Sequence, residues 1–149
     1  MISTYNFCCL YPKFRKNLIV ACIGFFIYSI YNSFVYTTQE IYEENWKIKF
    51  PEHITEIYDI HSPASFRSDG ERYTIFQLNS NNMDMDGFYR GGLNTDFAEK
   101  ILEKLEVPKE YYPVFCPEYL WMELTKYNDT LFIMYDEKNR IFYIFEERI

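Results

Sequence analysis

An uncharged, mostly apolar run from Leu18 to Val35 constrains this chain more than any other feature. It is introduced by Lys13, Arg15 and Lys16 and followed by Glu40, Glu43 and Glu44. At ~1.5 Å per residue a helix of that length reaches about 27 Å, close to a ~30 Å hydrocarbon core. The uncharged stretch extends from Asn17 to Gln39, which leaves room for tilt. Cations near a span favour the cytoplasmic side, whereas acidic residues contribute little. The pattern predicts a transmembrane anchor over 18–35, with residues 1–17 as a cytoplasmic tail. Residues 36–49 are then a juxtamembrane segment, and 50–149 a domain outside the plasma membrane. Tyr11 and Phe14 on one flank, and Tyr31 and Tyr36 on the other, suit the two headgroup levels.

Three other readings of the run fit less well. Signal-peptide cleavage needs small residues in an Ala-x-Ala-like site, but Ser29, Ser33 and Thr37 are interleaved with Tyr and Phe. Ile19-Val20-Ala21-Cys22 has the residue types of a lipidation box, yet the apolar run continues past Cys22 instead of preceding it. A buried soluble helix should not be apolar all round for five turns in so small a chain. Ser29, Asn32 and Ser33 make the outer half only moderately hydrophobic, and Asn32 is placed to meet a partner helix.

Charge is divided unevenly along the chain. All 22 acidic residues lie beyond Gln39, with 12 of the 15 basic ones, giving the outer part a net charge of −10. No basic stripe exists to displace counterions from nucleic acid. The balance suits solubility, a cation or a basic peptide. The 15 Tyr and 14 Phe are spread along the chain rather than gathered in one patch, as a compositional bias would leave them. Cys8 and Cys9 precede the span, Cys22 lies in it, and Cys116 is alone beyond it, so no disulfide framework is implied.

The outer domain reads as one α+β domain. Glu40 to Ile48 can extend the helix out of the membrane until Phe50-Pro51 ends it. His53–Ile60 has strand character, with Ile54, Tyr58 and Ile60 on one parity and Ile57 on the other. Ser68-Asp69-Gly70-Glu71 reads as a turn, and Arg72–Leu78 as an alternating strand. Asn79–Gly92 is a polar loop. Asn94–Leu105 is the main helix, with Asp96 as cap to Glu99 and Phe97, Ala98, Ile101, Leu102 and Leu105 at helical spacing. Tyr119–Lys126 fits a short helix or a strand. Leu131–Tyr135 and Ile141–Phe145 flank Asp136–Arg140 as a hairpin, with Asn139 able to take the left-handed turn. Both parities of that hairpin are apolar. One face should pack on the helix, and the other needs further chain, membrane or a partner. The expected fold is an N-terminal transmembrane helix plus a small antiparallel sheet packed by one main helix.

The stretch from Phe50-Pro51 through Ile57, Asp59 and His61 to Phe66-Arg67-Ser68-Asp69-Gly70-Glu71-Arg72-Tyr73 resembles a group of small Gram-positive single-pass membrane or envelope proteins. These carry an Asp-x-His and a Phe-His-Gly-Asp-Gly turn between two strands. Arg67-Ser68 stand here in place of His-Gly, so a role for that His does not carry over. The resemblance implies an envelope location and brings no activity with it.

Few residues converge on a chemistry. Asn82-Met83-Asp84-Met85-Asp86-Gly87 has the oxygen spacing that opens a calcium loop, making Asn82, Asp84 and Asp86 metal candidates. The twelfth position is Leu93, where a bidentate Glu is needed, so the site is incomplete unless Asp96 substitutes. Asp59, His61 and Asp69 are the alternative catalytic set for an extracytoplasmic hydrolase. A Cys116–His61–Asp69 arrangement is a further option, although Phe115 and Pro117 around Cys116 look structural. His53 and His61 lack zinc spacing. Asp96 sits where an anion would meet the amides after Gly91-Gly92 and would repel it. The reading that follows is a non-enzymatic membrane protein whose acidic outer domain contacts another envelope protein, without cofactor or nucleic acid.

Overall fold

The computed structural model describes residues 17–29, 36–63, 69–79 and 86–149. Two compact units divide the chain, the first ending at Ile41 and the second running from Tyr42 to Ile149.

In the first unit, residues 17–29 form helix α1. Its apolar side chains are exposed around the whole circumference, as at Val20 (69%), Phe25 (72%) and Phe26 (67%). Among the described residues no helix is long and apolar enough to cross a membrane. Residues 30–35 of the expected span lie outside the described residues. Tyr36 and Thr37 are not helical, and α2 begins afresh at Thr38–Trp46. A reciprocal capping box sets that start: Thr37 Oγ1 accepts the Glu40 N–H at 3.2 Å, and Glu40 Oε2 accepts the Thr37 N–H at 2.8 Å. The expectation that Glu40 to Ile48 extend the preceding helix is thus corrected: α2 is a separate helix that ends at Trp46. Thr37 and Glu40 satisfy the orphan amides of a new N-terminus.

The second unit is built on six strands: β1 (Ile54–His61), β2 (Gly70–Leu78), β3 (Tyr89–Arg90), β4 (Leu120–Lys126), β5 (Asp129–Asp136) and β6 (Ile141–Arg148). They form one antiparallel sheet in the order β1-β2-β6-β5-β4-β3. Helix α3 (Asp96–Lys104) and a short 3-10 turn (Lys109–Tyr111) lie between β3 and β4. The α+β class and the terminal hairpin agree with the sequence reading.

Both faces of the sheet are buried, as the doubly apolar strands require. On one face Tyr73, Ile75, Phe132, Met134, Tyr143 and Phe145 pack with Ala98, Ile101 and Leu102 of α3. On the other, Phe76, Leu78, Leu131, Ile133, Tyr135, Phe142 and Ile144 are covered by Tyr42, Trp46, Ile48 and Phe50. The second cover is therefore chain, and α3 is not the single main helix. Tyr42 is fully buried and anchors the C-terminal half of α2.

Local chemistry departs from expectation at several points. Glu56 pairs with Phe76 but Tyr58 with Ile75, so Ile57 is an extra residue in a β-bulge. The bulge moves Ile54 into the Tyr42 cluster while Tyr58 and Ile60 join the α3 cluster. Gly70 and Glu71 already pair with β6 and so belong to β2 rather than to a turn. A side chain at Gly70 would collide with Ser62 Oγ, which accepts the Glu71 N–H at 2.8 Å. Asp96 is the first residue of α3 and not its cap; Asn94 Oδ1 accepts its N–H at 3.0 Å. The helix closes in a Schellman pair, Val107 N–H to Leu102 O and Glu106 N–H to Glu103 O, both 3.1 Å. Glu106 takes the left-handed conformation there, φ 51°. The 119–126 ambiguity resolves as a strand, because a two-residue turn at Tyr127-Asn128 zips β4 to β5. In the last hairpin Arg140 (φ 56°), not Asn139, adopts the left-handed conformation.

Candidate functional site

An open cleft of about 770 Å³ lies at the end of the sheet where β5 turns into β6. Four separate segments build it. Arg90 comes from β3, and Val114, Cys116, Glu118 and Tyr119 from the connection into β4. Asp136 to Asn139 come from the last turn, and Tyr143 from β6. The rings of Tyr119 and Tyr143 lie nearly parallel, 12° apart with centroids at 6.3 Å, and form an aromatic floor.

Asp136 fixes that floor. Its carboxylate is buried and accepts the Tyr119 hydroxyl at 3.0 Å, the Asn139 N–H at 3.0 Å and the Asn139 amide at 2.7 Å. Burial works to raise its pKa, but these hydrogen bonds, with one from the Lys138 N–H, hold it below the ordinary carboxylate range. Tyr119 moves the other way. Burial, then the neighbouring Asp136, push its phenol well above the usual value. An ionised carboxylate with its acceptor positions filled and a phenol held protonated make a rigid wall rather than an acid–base couple. The rim carries both signs, with Arg90 Nη2 paired to Glu137 Oε2 at 2.6 Å. Val114, 79% exposed, stands at the mouth. A floor of rings beneath a rim of mixed charge has the anatomy of a binding surface.

A second polar cluster lies on the opposite face of the sheet. Asp59 accepts two bonds from Arg72, Nε at 2.8 Å and Nη2 at 2.9 Å, and one from Thr74 Oγ1 at 2.6 Å. Because the Thr74 proton is committed to Asp59, the Tyr42 hydroxyl donates to Thr74 Oγ1 at 2.8 Å. Alongside, buried Glu146 Oε1 accepts Trp46 Nε1 at 2.6 Å and Arg148 Nη2 at 2.8 Å. Burial opposes ionisation of Asp59, yet the bonds from Arg72 and Thr74 outweigh it and hold its pKa low. The cluster clamps Tyr42 and Trp46 to the sheet.

The residues singled out from sequence fall outside the cleft. Asp59 is engaged by Arg72 and Thr74, and His61 Nδ1 lies 3.7 Å from Asp59 Oδ2, beyond hydrogen-bond reach. Asp69 is half-buried beside Gly70 and does not line the cleft. Cys116 lines the cleft while His61 ends β1, the strand at the far edge of the sheet. Asn82 and Asp84 lie outside the described residues. Asp86 stands in a turn, and no group of three or more His, Cys, Asp or Glu fit to hold a metal occurs among the described residues. What sequence reasoning missed is the Asp136-x-x-Asn139 pair, in which an Asx side chain closes its own turn. No motif announces Tyr119 or Arg90. No protein-family model, curated protein or solved structure matches this chain.

Proposed function

We propose that this chain is a single-pass membrane protein of a bacterial cell envelope. Residues 18–35 are the anchor, the N-terminus is cytoplasmic, and the acidic α+β domain outside engages another envelope protein through the cleft. The observation that carries this reading is α1, a helix whose apolar side chains are exposed on every side. Apolar surface left in water costs roughly 25 cal/mol per Å², and a helix that is apolar all round belongs in a core or a bilayer. Lys13, Arg15 and Lys16 supply the orientation. The capping box at Thr37 and Glu40 supports an exit from the apolar span into water, where a fresh helix starts.

The position of the unburied surface supports contact with a partner at the cleft. Phe132 is occupied in the core and Tyr143 forms part of the cleft floor, whereas Val114 and the charged rim of the cleft are open. Reporters fused after Lys16 and after Ile149 test the arrangement. A reporter active only in the cytoplasm should work at the first position and fail at the second. Activity at both positions overturns the proposal.

A further inference from the structure

The rings of Tyr58, on β1, and Tyr111, in the 3-10 turn, are stacked with centroids 4.0 Å apart and planes 17° apart. No other aromatic pair among the described residues has its centroids this close. The two residues are far apart in sequence, and separate contacts hold each. The Tyr73 hydroxyl donates to Tyr111 O at 2.7 Å, and the Tyr73 ring stacks on Phe145 at 4.7 Å and meets Tyr58 at 6.0 Å. Tyr58 and Tyr111 are both only half-buried, so small oxidants reach them. Burial, and then the neighbouring Tyr111 phenol, raise the Tyr58 pKa.

We propose that Tyr58 and Tyr111 are an oxidative crosslinking site, at which peroxide chemistry joins the two rings as ortho–ortho dityrosine. Each phenol loses one electron and one proton to give a tyrosyl radical. The two radicals couple through their ortho carbons, forming one C–C bond. Each ring then moves its ortho hydrogen to the phenolic oxygen and recovers aromaticity. The two electrons and two protons released reduce one hydrogen peroxide to two water molecules. The product closes a covalent loop around β2, β3 and α3, and so removes conformational freedom from the unfolded chain much as a disulfide does. The Tyr119–Tyr143 pair is a poor competitor because its centroids are farther apart at 6.3 Å and both residues are buried. Tyr127, 95% exposed, is the obvious site for links between molecules.

The test treats the full chain, dilute and in detergent, with hydrogen peroxide and a haem peroxidase. Dityrosine fluorescence and peptide mass spectrometry are then read on the monomer fraction. The expected result is a linked peptide pair containing Tyr58 and Tyr111, lighter than its two parts by two hydrogens. Tyr58→Phe and Tyr111→Phe, both checked by circular dichroism for an intact fold, should each lose most of the monomer fluorescence, and Tyr127→Phe should keep it. The crosslinked monomer should melt at a higher temperature than the untreated chain. Fluorescence unchanged in both folded variants, links confined to other tyrosines, or no rise in melting temperature overturns the proposal.

Discussion

At the scale of single residues, the domain places its charges where neighbours saturate them. Asp59 and Arg72 have side chains only 15% and 16% exposed, and each supplies what the other lacks. Removing the carboxylate alone leaves a half-buried guanidinium without its fork and Thr74 without its acceptor. Asp59→Ala is expected to destabilise the domain by roughly 2–4 kcal/mol in urea unfolding, whereas an exposed acidic position such as Glu123→Ala should change little. The same bonds fix the sign of the acid response. Asp59 and Asp136 have folded-state pKa values below the ordinary 3.8, so their stabilisation is complete above that value and is lost as pH falls through the lower folded values. Tyr42, Tyr73 and Tyr119 are raised, first by burial, above the ordinary 10.0. Their neutral forms therefore stabilise the fold up to about pH 10, and stability falls above it as the unfolded chain ionises first. Melting temperature measured against pH should show a plateau between these limbs, and Asp136→Asn should shallow the acid limb.

At the scale of elements, α3 ends with a residue that its geometry does not favour. Glu106 sits at the left-handed position of the Schellman turn, where glycine carries no Cβ penalty. Glu106→Gly is expected to stabilise the domain by about 0.5–1 kcal/mol in denaturant unfolding, offset in part by the greater freedom of glycine when unfolded. The main elements were legible because their periods are strong. Phe97, Ala98, Ile101, Leu102 and Leu105 announce α3, and the apolar runs at Leu131 and Ile141 announce the last hairpin. The Ile57 bulge was not legible, since alternation cannot show that one strand carries an extra residue until its partner is known. Thr37-x-x-Glu40 has the residue types of a capping box, but the sequence reading passed over it because the apolar run leading up to it suggests one continuous helix. Arg140 takes the left-handed position while Asn139 has its backbone N–H and its amide engaged by Asp136 three residues earlier, a local Asx turn that the preference of Asn for left-handed backbone does not reveal. The cleft draws on four segments between Arg90 and Tyr143, so no local pattern encodes it.

At the scale of the molecule, the chain joins two contrasting solvation problems. The sheet of the second unit is covered on both faces by its own chain, through α3 on one side and Tyr42 to Phe50 on the other. The first unit carries an apolar helix with its side chains exposed. We propose that a bilayer resolves the second problem without disturbing the first. The most direct test is protease treatment of intact spheroplasts expressing the full chain with a C-terminal epitope, followed by alkaline carbonate extraction. The epitope is expected to be lost to protease before lysis, and the untreated chain to stay in the carbonate-resistant membrane pellet. Release of the chain into the soluble fraction, or an epitope protected until the spheroplasts are lysed, would contradict it.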